Sequence, residues 1–256
     1  MNKFIKKKTL LLHLYDIFDD YVKSYFEVAC IKGCASCCTQ NVTLTTLEAF
    51  LILEDLRQTE QPHVLSRLEM SNPALFRPRY TINDLALACF NRQEPPGEKP
   101  GPELGSCPLL ENDLCLVYES RPFACRSFLS LEPCQLSGQA DVPSRLISVI
   151  TACQQVIEHL DTGGWFGNLT DLLFLLAHED NSARYALDEA LSVLDLPGAK
   201  PLPGFLIPPH DTVFVQPFLA RLFDSDLGGV SFYSKLNDLR RLPAGLNTGF
   251  RSAGNK

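Results

Sequence analysis

The sequence predicts a mainly α fold, a helical protein with an irregular, loop-rich cysteine-cluster core. Three observations carry that prediction. Apolar residues recur at helical spacing through most of the chain, no long stretch alternates in the manner of a strand, and eight of the ten cysteines fall into two groups of four within irregular segments. At 256 residues the chain is long enough for one large domain or two small ones. The expected organisation is an N-terminal amphipathic helix at 1–28, a cysteine-cluster metal-binding domain at 29–140 with a Pro/Gly-rich loop at 93–106, and a helical region at 141–256. No internal repeat is present.

Composition narrows the function classes. Hydrophobic residues make up 45% and charged residues 21%, the balance of a folded globular protein rather than a disordered one. A formal net charge of -7 argues against a general nucleic-acid or anionic-membrane surface, because those partners are held by clustered Lys and Arg. The start, Met1 to Lys8 followed by Leu10, Leu11 and Leu12, has the outline of a secretory signal, but the apolar run breaks at His13 and Asp16 and no small-residue cleavage site follows. No stretch approaches the roughly 20 apolar residues that span a bilayer. The expected location is the cytoplasm, where dense cysteines point to metal binding or catalysis rather than to disulfides.

The elements follow in order. Leu11, Leu14, Ile17, Phe18, Tyr21, Val22 and Phe26 predict a helix over about residues 8–29, opposite Asp16, Asp19, Asp20 and Lys23, with Gly33 placed to stop it. Thr45-Thr-Leu-Glu48 has the form of a capping box and opens a second helix through Leu56. Residues 62–92 read as a looser helical region containing Cys89, and the prolines and glycines of 93–106 break regular structure. Pro122 is placed to begin a short helix carrying Cys125 in its first turn, where the helix dipole favours a thiolate. Leu146 to Leu160 form an apolar stripe ended by Gly163-Gly164. Helices are then expected at 169–177, 183–194, 212–223 and 232–239, with a proline-rich connection at 197–209. Cys89 and Cys153 are read as core residues.

The chemistry lies in the remaining cysteines. Cys30-Ile-Lys-Gly-Cys34-Ala-Ser-Cys37-Cys38 gathers four thiols into one short loop, and Cys107, Cys115, Cys125 and Cys134 form a second group. Four soft thiolates hold one zinc ion or the four iron corners of a [4Fe-4S] cluster, so ligand type alone leaves both open. The crowding of the first group leans toward an iron-sulfur cluster over the paired C-x2-C of a zinc ribbon. The vicinal pair Cys37-Cys38 fits poorly with ordinary disulfide geometry. Arg121 and Arg126 stand between thiols in Cys115-Leu-Val-Tyr118-Glu119-Ser-Arg121-Pro122-Phe-Ala-Cys125-Arg126, where fixed cations would stabilise a negatively charged centre. The five histidines show no ligand spacing, and no phosphate loop, nucleophile elbow or H-E-x-x-H is present.

The cysteine run, followed by Cys-Pro-Leu and Cys-x2-Tyr-Glu-x-Arg-Pro-x2-Cys-Arg, resembles the YkgJ-type cysteine-cluster family of zinc- or iron-chelating proteins, often labelled iron-sulfur oxidoreductases, and is distantly similar to flagellin lysine N-methylases. The resemblance covers about residues 28–135. It implies Cys30, Cys34, Cys37, Cys38, Cys107, Cys115 and Cys125 as metal ligands, with Cys134 matching a more variable last cysteine and Arg121, Pro122 and Arg126 matching the surrounding motif. The x3 spacing between Cys30 and Cys34 is one longer than the commoner form. The expected function is metal binding, through an iron-sulfur cluster with an electron-transfer or redox-linked role and a protein redox partner or protein substrate. The alternatives are a structural zinc module that presents the C-terminal helices to a partner, and an iron-sulfur-dependent protein-modifying enzyme.

Overall fold

The computed structural model describes residues 3–59, 64, 68, 76–94, 97–98, 105–189, 191 and 195–243. Among them are ten α-helices and four short strands, so the mainly α expectation holds. Helix α1, Lys3–Tyr25, starts earlier than its apolar spacing suggested because Phe4 and the stem of Lys7 are also buried. It ends at Tyr25, well before Gly33, whose positive φ of 94° instead turns the cysteine loop. Only a residue without a Cβ takes that backbone without strain.

Strand β1, Thr43–Thr45, leads directly into α2, Thr46–Gln58. The predicted capping box is present: Glu48 N donates to Thr45 Oγ1 at 3.4 Å, and Thr45 N donates to Glu48 Oε2 at 2.9 Å. Helix α3, Ile82–Phe90, opens on a second capping box, Thr81 with Asp84. It buries only Asn83 and Ala86, and its last turn runs into solvent. Cys89 is therefore exposed rather than part of the core. The expected helical region at 62–92 and the loop at 93–106 lie partly outside the described residues.

Strands β2, Leu110–Glu111, and β3, Leu114–Cys115, form a hairpin whose two loop residues, Asn112 and Asp113, both have positive φ, as a tight turn matched to strand twist requires. Pro122 caps the five-residue helix α4, Phe123–Ser127, and α5, Cys134–Ser137, follows. The long helix α6, Ser144–Leu160, buries its predicted stripe, with Cys153 fully enclosed. Strand β4, Phe166–Asn168, pairs antiparallel with β1, setting Thr45 opposite Phe166, and runs into α7, Leu169–Ala177. Helix α8 spans Glu179–Ala186, not 183–194: Asp188 takes a positive φ of 60° and ends the helical path. Residues 190 and 192–194 lie outside the described residues. A 3-10 turn, Pro209–Asp211, precedes α9, Thr212–Asp224, and α10, Phe232–Leu239, both close to their predicted spans.

Helix α2 packs along α7, α6 lies against α3 and α9, and α1 meets α10, giving one buried cluster that includes Leu14, Phe18, Leu53, Val156, Leu173, Phe218 and Leu236. Each such side chain contributes on the order of 2 kcal/mol through burial. Among the described residues no helix is long and apolar enough to cross a membrane.

Three carboxylates, almost sealed from solvent, join these helices. Glu48 Oε1 accepts both Tyr15 OH from α1 and Phe123 N from α4, each at 2.8 Å. Asp161 accepts Leu47 N at 3.0 Å and the Tyr185 hydroxyl, with Lys7 Nζ at 3.8 Å. It thus places a negative charge at the N-terminus of α2, where the helix dipole favours one. Glu158 accepts Asn83 N at 2.9 Å and Lys200 N at 2.6 Å. Burial raises Asp161 to about 6 and Glu158 to about 7.

Candidate metal centre

Between the end of α1 and the start of β1 the chain makes two successive turns, closed by Cys34 N to Ile31 O and by Cys38 N to Ala35 O, both at 3.0 Å. The first places Cys34 close to Cys30, and the second ends on the vicinal pair. The distant cysteines are brought in by the backbone. Cys107 N donates to Cys38 O at 3.0 Å, Leu110 N donates to Cys107 O at 3.0 Å, and the hairpin sets Leu110 opposite Cys115. Helix α4 supplies Cys125, and its first N–H is held by Glu48. Separately, Ala29 N donates to Ser130 O at 2.8 Å and Gln135 Nε2 to Ser36 Oγ at 3.1 Å, which brings α5 and Cys134 to the first cysteine group.

Seven cysteines, Cys30, Cys34, Cys37, Cys38, Cys107, Cys115 and Cys125, line one cavity of about 440 Å³. Val28, Val42, Leu109, Val117 and Leu129 contribute apolar walls. Cys134 stands beside Cys30, close enough to disfavour its ionisation. Among the described residues no three Cys, His, Asp or Glu side chains already stand at the spacing of a closed metal site. The thiols therefore surround a space rather than meet at a point.

Their electrostatics follow from burial and crowding. Cys37 donates its S–H to the Cys38 sulfur, which raises Cys37 far above the ordinary thiol value and lowers Cys38. Burial raises Cys30 and Cys115, and it pushes Cys107 up to about 11. Backbone hydrogen bonds from Leu109 and Val117 to the Cys107 and Cys115 thiols pull the other way, the pattern of N–H groups turned toward sulfur ligands. Cys125 was expected to gain from the dipole of its short helix, yet its thiol is raised, first by burial and then by Cys107, Cys115 and Cys37. A helix of little more than one turn contributes too little to offset burial and the neighbouring thiols.

Both arginines line the cavity, on different terms. Arg121 donates to Tyr118 O at 2.6 Å, lies over the Tyr118 ring at 4.0 Å, and its charge favours ionisation of Cys115. Arg126 is buried, forms an ion pair with Asp19, donates to Glu119 O at 2.8 Å, and covers the Tyr15 ring at 4.7 Å. Its Nε carries a buried N–H with no hydrogen-bond partner among the described residues. The linking role of Glu48 was not visible in the sequence beyond its capping box, because Tyr15 and Phe123 lie 33 and 75 positions away.

The residues present suit a thiophilic metal centre. Eight thiols in one region, backbone N–H groups turned toward two of them and two guanidinium groups on the wall are what such a centre asks of a protein. Neither the comparison with curated proteins nor the comparison with solved structures gives a match. Residues 29–141 match the model of the CxxCxxCC family, described as a "putative zinc- or iron-chelating domain", so this part of the chain is similar to that cysteine-cluster family.

Proposed function

We propose that the cysteine region carries an iron-sulfur cluster with an electron-transfer or redox-linked role in the cytoplasm. The observation that supports this reading most is the width of the space the thiols surround. Seven cysteines around about 440 Å³ suit a polynuclear cluster better than a lone ion, which four thiolates enclose at about 2.3 Å. When bound, the cluster would supply one-electron chemistry. The chain's own part is to hold the thiols, line the space between them with Val28, Val42 and Leu129, and set the local charge through Arg121 and Arg126. Arg121 is the better placed to tune the centre, since Arg126 is largely committed to Asp19 and Glu119.

Ile31 and Phe128 line the cavity and are also 71% and 53% exposed, an apolar rim of the kind a protein redox partner or protein substrate covers. A structural zinc ion is the second reading, since four of these thiols suffice for one tetrahedral ion. Anaerobic purification of the full chain, with iron and acid-labile sulfide assays and EPR of the reduced protein, separates the two. Iron and sulfide in equal amounts are expected. A colourless protein holding stoichiometric zinc would overturn the iron-sulfur reading.

A further inference from the structure

We infer that the eight cysteines form two separate four-thiol centres, divided between the adjacent residues Cys37 and Cys38. One set is Cys38, Cys107, Cys115 and Cys125; the other is Cys30, Cys34, Cys37 and Cys134. The inference rests on the reading that these thiols bind a thiophilic metal, and it assigns them differently from their order in the chain. In sequence, Cys38 closes the first group and Cys134 the second. In space the two exchange places.

The first set is knit together in every pairing. Cys38 has Cys107, Cys115 and Cys125 as neighbours, Cys125 has Cys107 and Cys115, and Cys107 has Cys115. The backbone fixes the same grouping through the hydrogen bond from Cys107 N to Cys38 O and through the hairpin that carries Cys115. Four thiolates fill a tetrahedral ion or the four corners of a cubane cluster, so this set is complete without a fifth.

The second set gathers around Cys30, whose neighbours are Cys37, Cys134 and Cys34. Two links outside the first set hold it: Ala29 N to Ser130 O at 2.8 Å, and Gln135 Nε2 to Ser36 Oγ at 3.1 Å. Cys134 lies off the wall of the cavity that the other seven share, on the side of α5. Cys37 meets Cys38 directly, and its charge is felt by Cys125 on one side and by Cys30 on the other, within the one cavity that Cys30, Cys34, Cys37 and Cys38 line. With the first set filled, its sulfur is left to the second. The Cys37 and Cys38 sulfurs meet each other, so the vicinal pair sets the two neighbouring centres side by side.

Anaerobic titration of the reduced full chain with Co(II) reads the number and type of sites through sulfur-to-cobalt charge-transfer absorption. The wild type is expected to saturate at two equivalents. Cys107→Ser and Cys134→Ser are each expected to saturate at one, the double variant to lose the band, and Cys89→Ser, at an exposed position away from the cavity, to keep two. Far-UV circular dichroism checks that each variant is folded, and Cys115→Ser and Cys30→Ser repeat the test of each set. Saturation of the wild type at one equivalent, or unchanged binding in both Cys134→Ser and Cys30→Ser, overturns the two-centre assignment while leaving a metal-binding protein. Two equivalents of Co(II) in a chain that takes up no iron or sulfide would instead overturn the iron-sulfur reading and leave the division intact.

Discussion

In the helical body Glu48, Asp161 and Glu158, between 0% and 4% exposed, are each met by N–H or O–H donors that the chain supplies. In the cysteine region the mostly half-buried thiols have mainly one another, a few backbone N–H groups and one S–H to sulfur contact. A carboxylate joins helices directly, and its partners are in place once the chain has folded. A ring of thiols does not, because sulfur is a weak hydrogen-bonding group and crowded thiolates repel. The difference teaches that the helical body can complete itself, whereas the thiols of the cysteine region find no comparable partners within the chain.

Removal of metal tests this contrast with the largest expected effect, since apparent binding free energies of structural thiolate sites reach about 10 kcal/mol. Chelation of the loaded protein is expected to speed amide exchange strongly in residues 26–42 and 105–137, while α2, α6 and α7 stay protected. Hydrogen exchange by mass spectrometry reads both regions at once. Equal loosening of the two would mean that the helical body also depends on the metal.

Glu48 is where the two regions meet, and its removal is the next largest effect. Glu48→Ala leaves Tyr15 OH, Phe123 N and Thr45 N without their acceptor, at a cost of about 3 kcal/mol. Chemical denaturation should show that loss, and metal content should fall with it because the start of α4 is released. An unchanged denaturation midpoint would show that water or a neighbour replaces the carboxylate.

A comparable effect, confined to the helical body, comes from Glu158. Its folded value of about 7 lies above the reference of 4.5, because burial disfavours the charged form. The folded state then holds the proton more tightly than the unfolded state, so the group's contribution is fully present below pH 4.5 and declines as pH rises through 7. The full swing is on the order of 3 kcal/mol. The stability gap between wild type and Glu158→Gln should move in favour of the variant by that amount from about pH 4 to pH 8, measured by denaturant titration. A gap independent of pH removes Glu158 as a titrating group.

Much of the molecule was legible wherever cause and effect are close in the chain. Thr45 and Glu48 are three positions apart, so their capping box could be read directly. The stripe of α6 and the spans of α7 and α10 follow from periodicity alone. The errors arose where burial depends on what arrives from elsewhere. Cys89 sits on an apolar stretch but on the exposed side of the last turn of α3, and Cys125 gained burial rather than a useful dipole.

By itself the sequence determined the helical class and the thiol chemistry, since periodicity and residue type are local properties that survive any folding path. The grouping of those thiols was decided only by the tertiary structure. Cys38 feels the charge of Cys107, Cys115 and Cys125, and Cys30 that of Cys134, across separations that no spacing rule encodes. The backbone links from Cys107 to Cys38 and from Ala29 to Ser130 bring them together. Which sulfurs share a cation is a matter of distance in space, and that distance is set by the path of the whole chain.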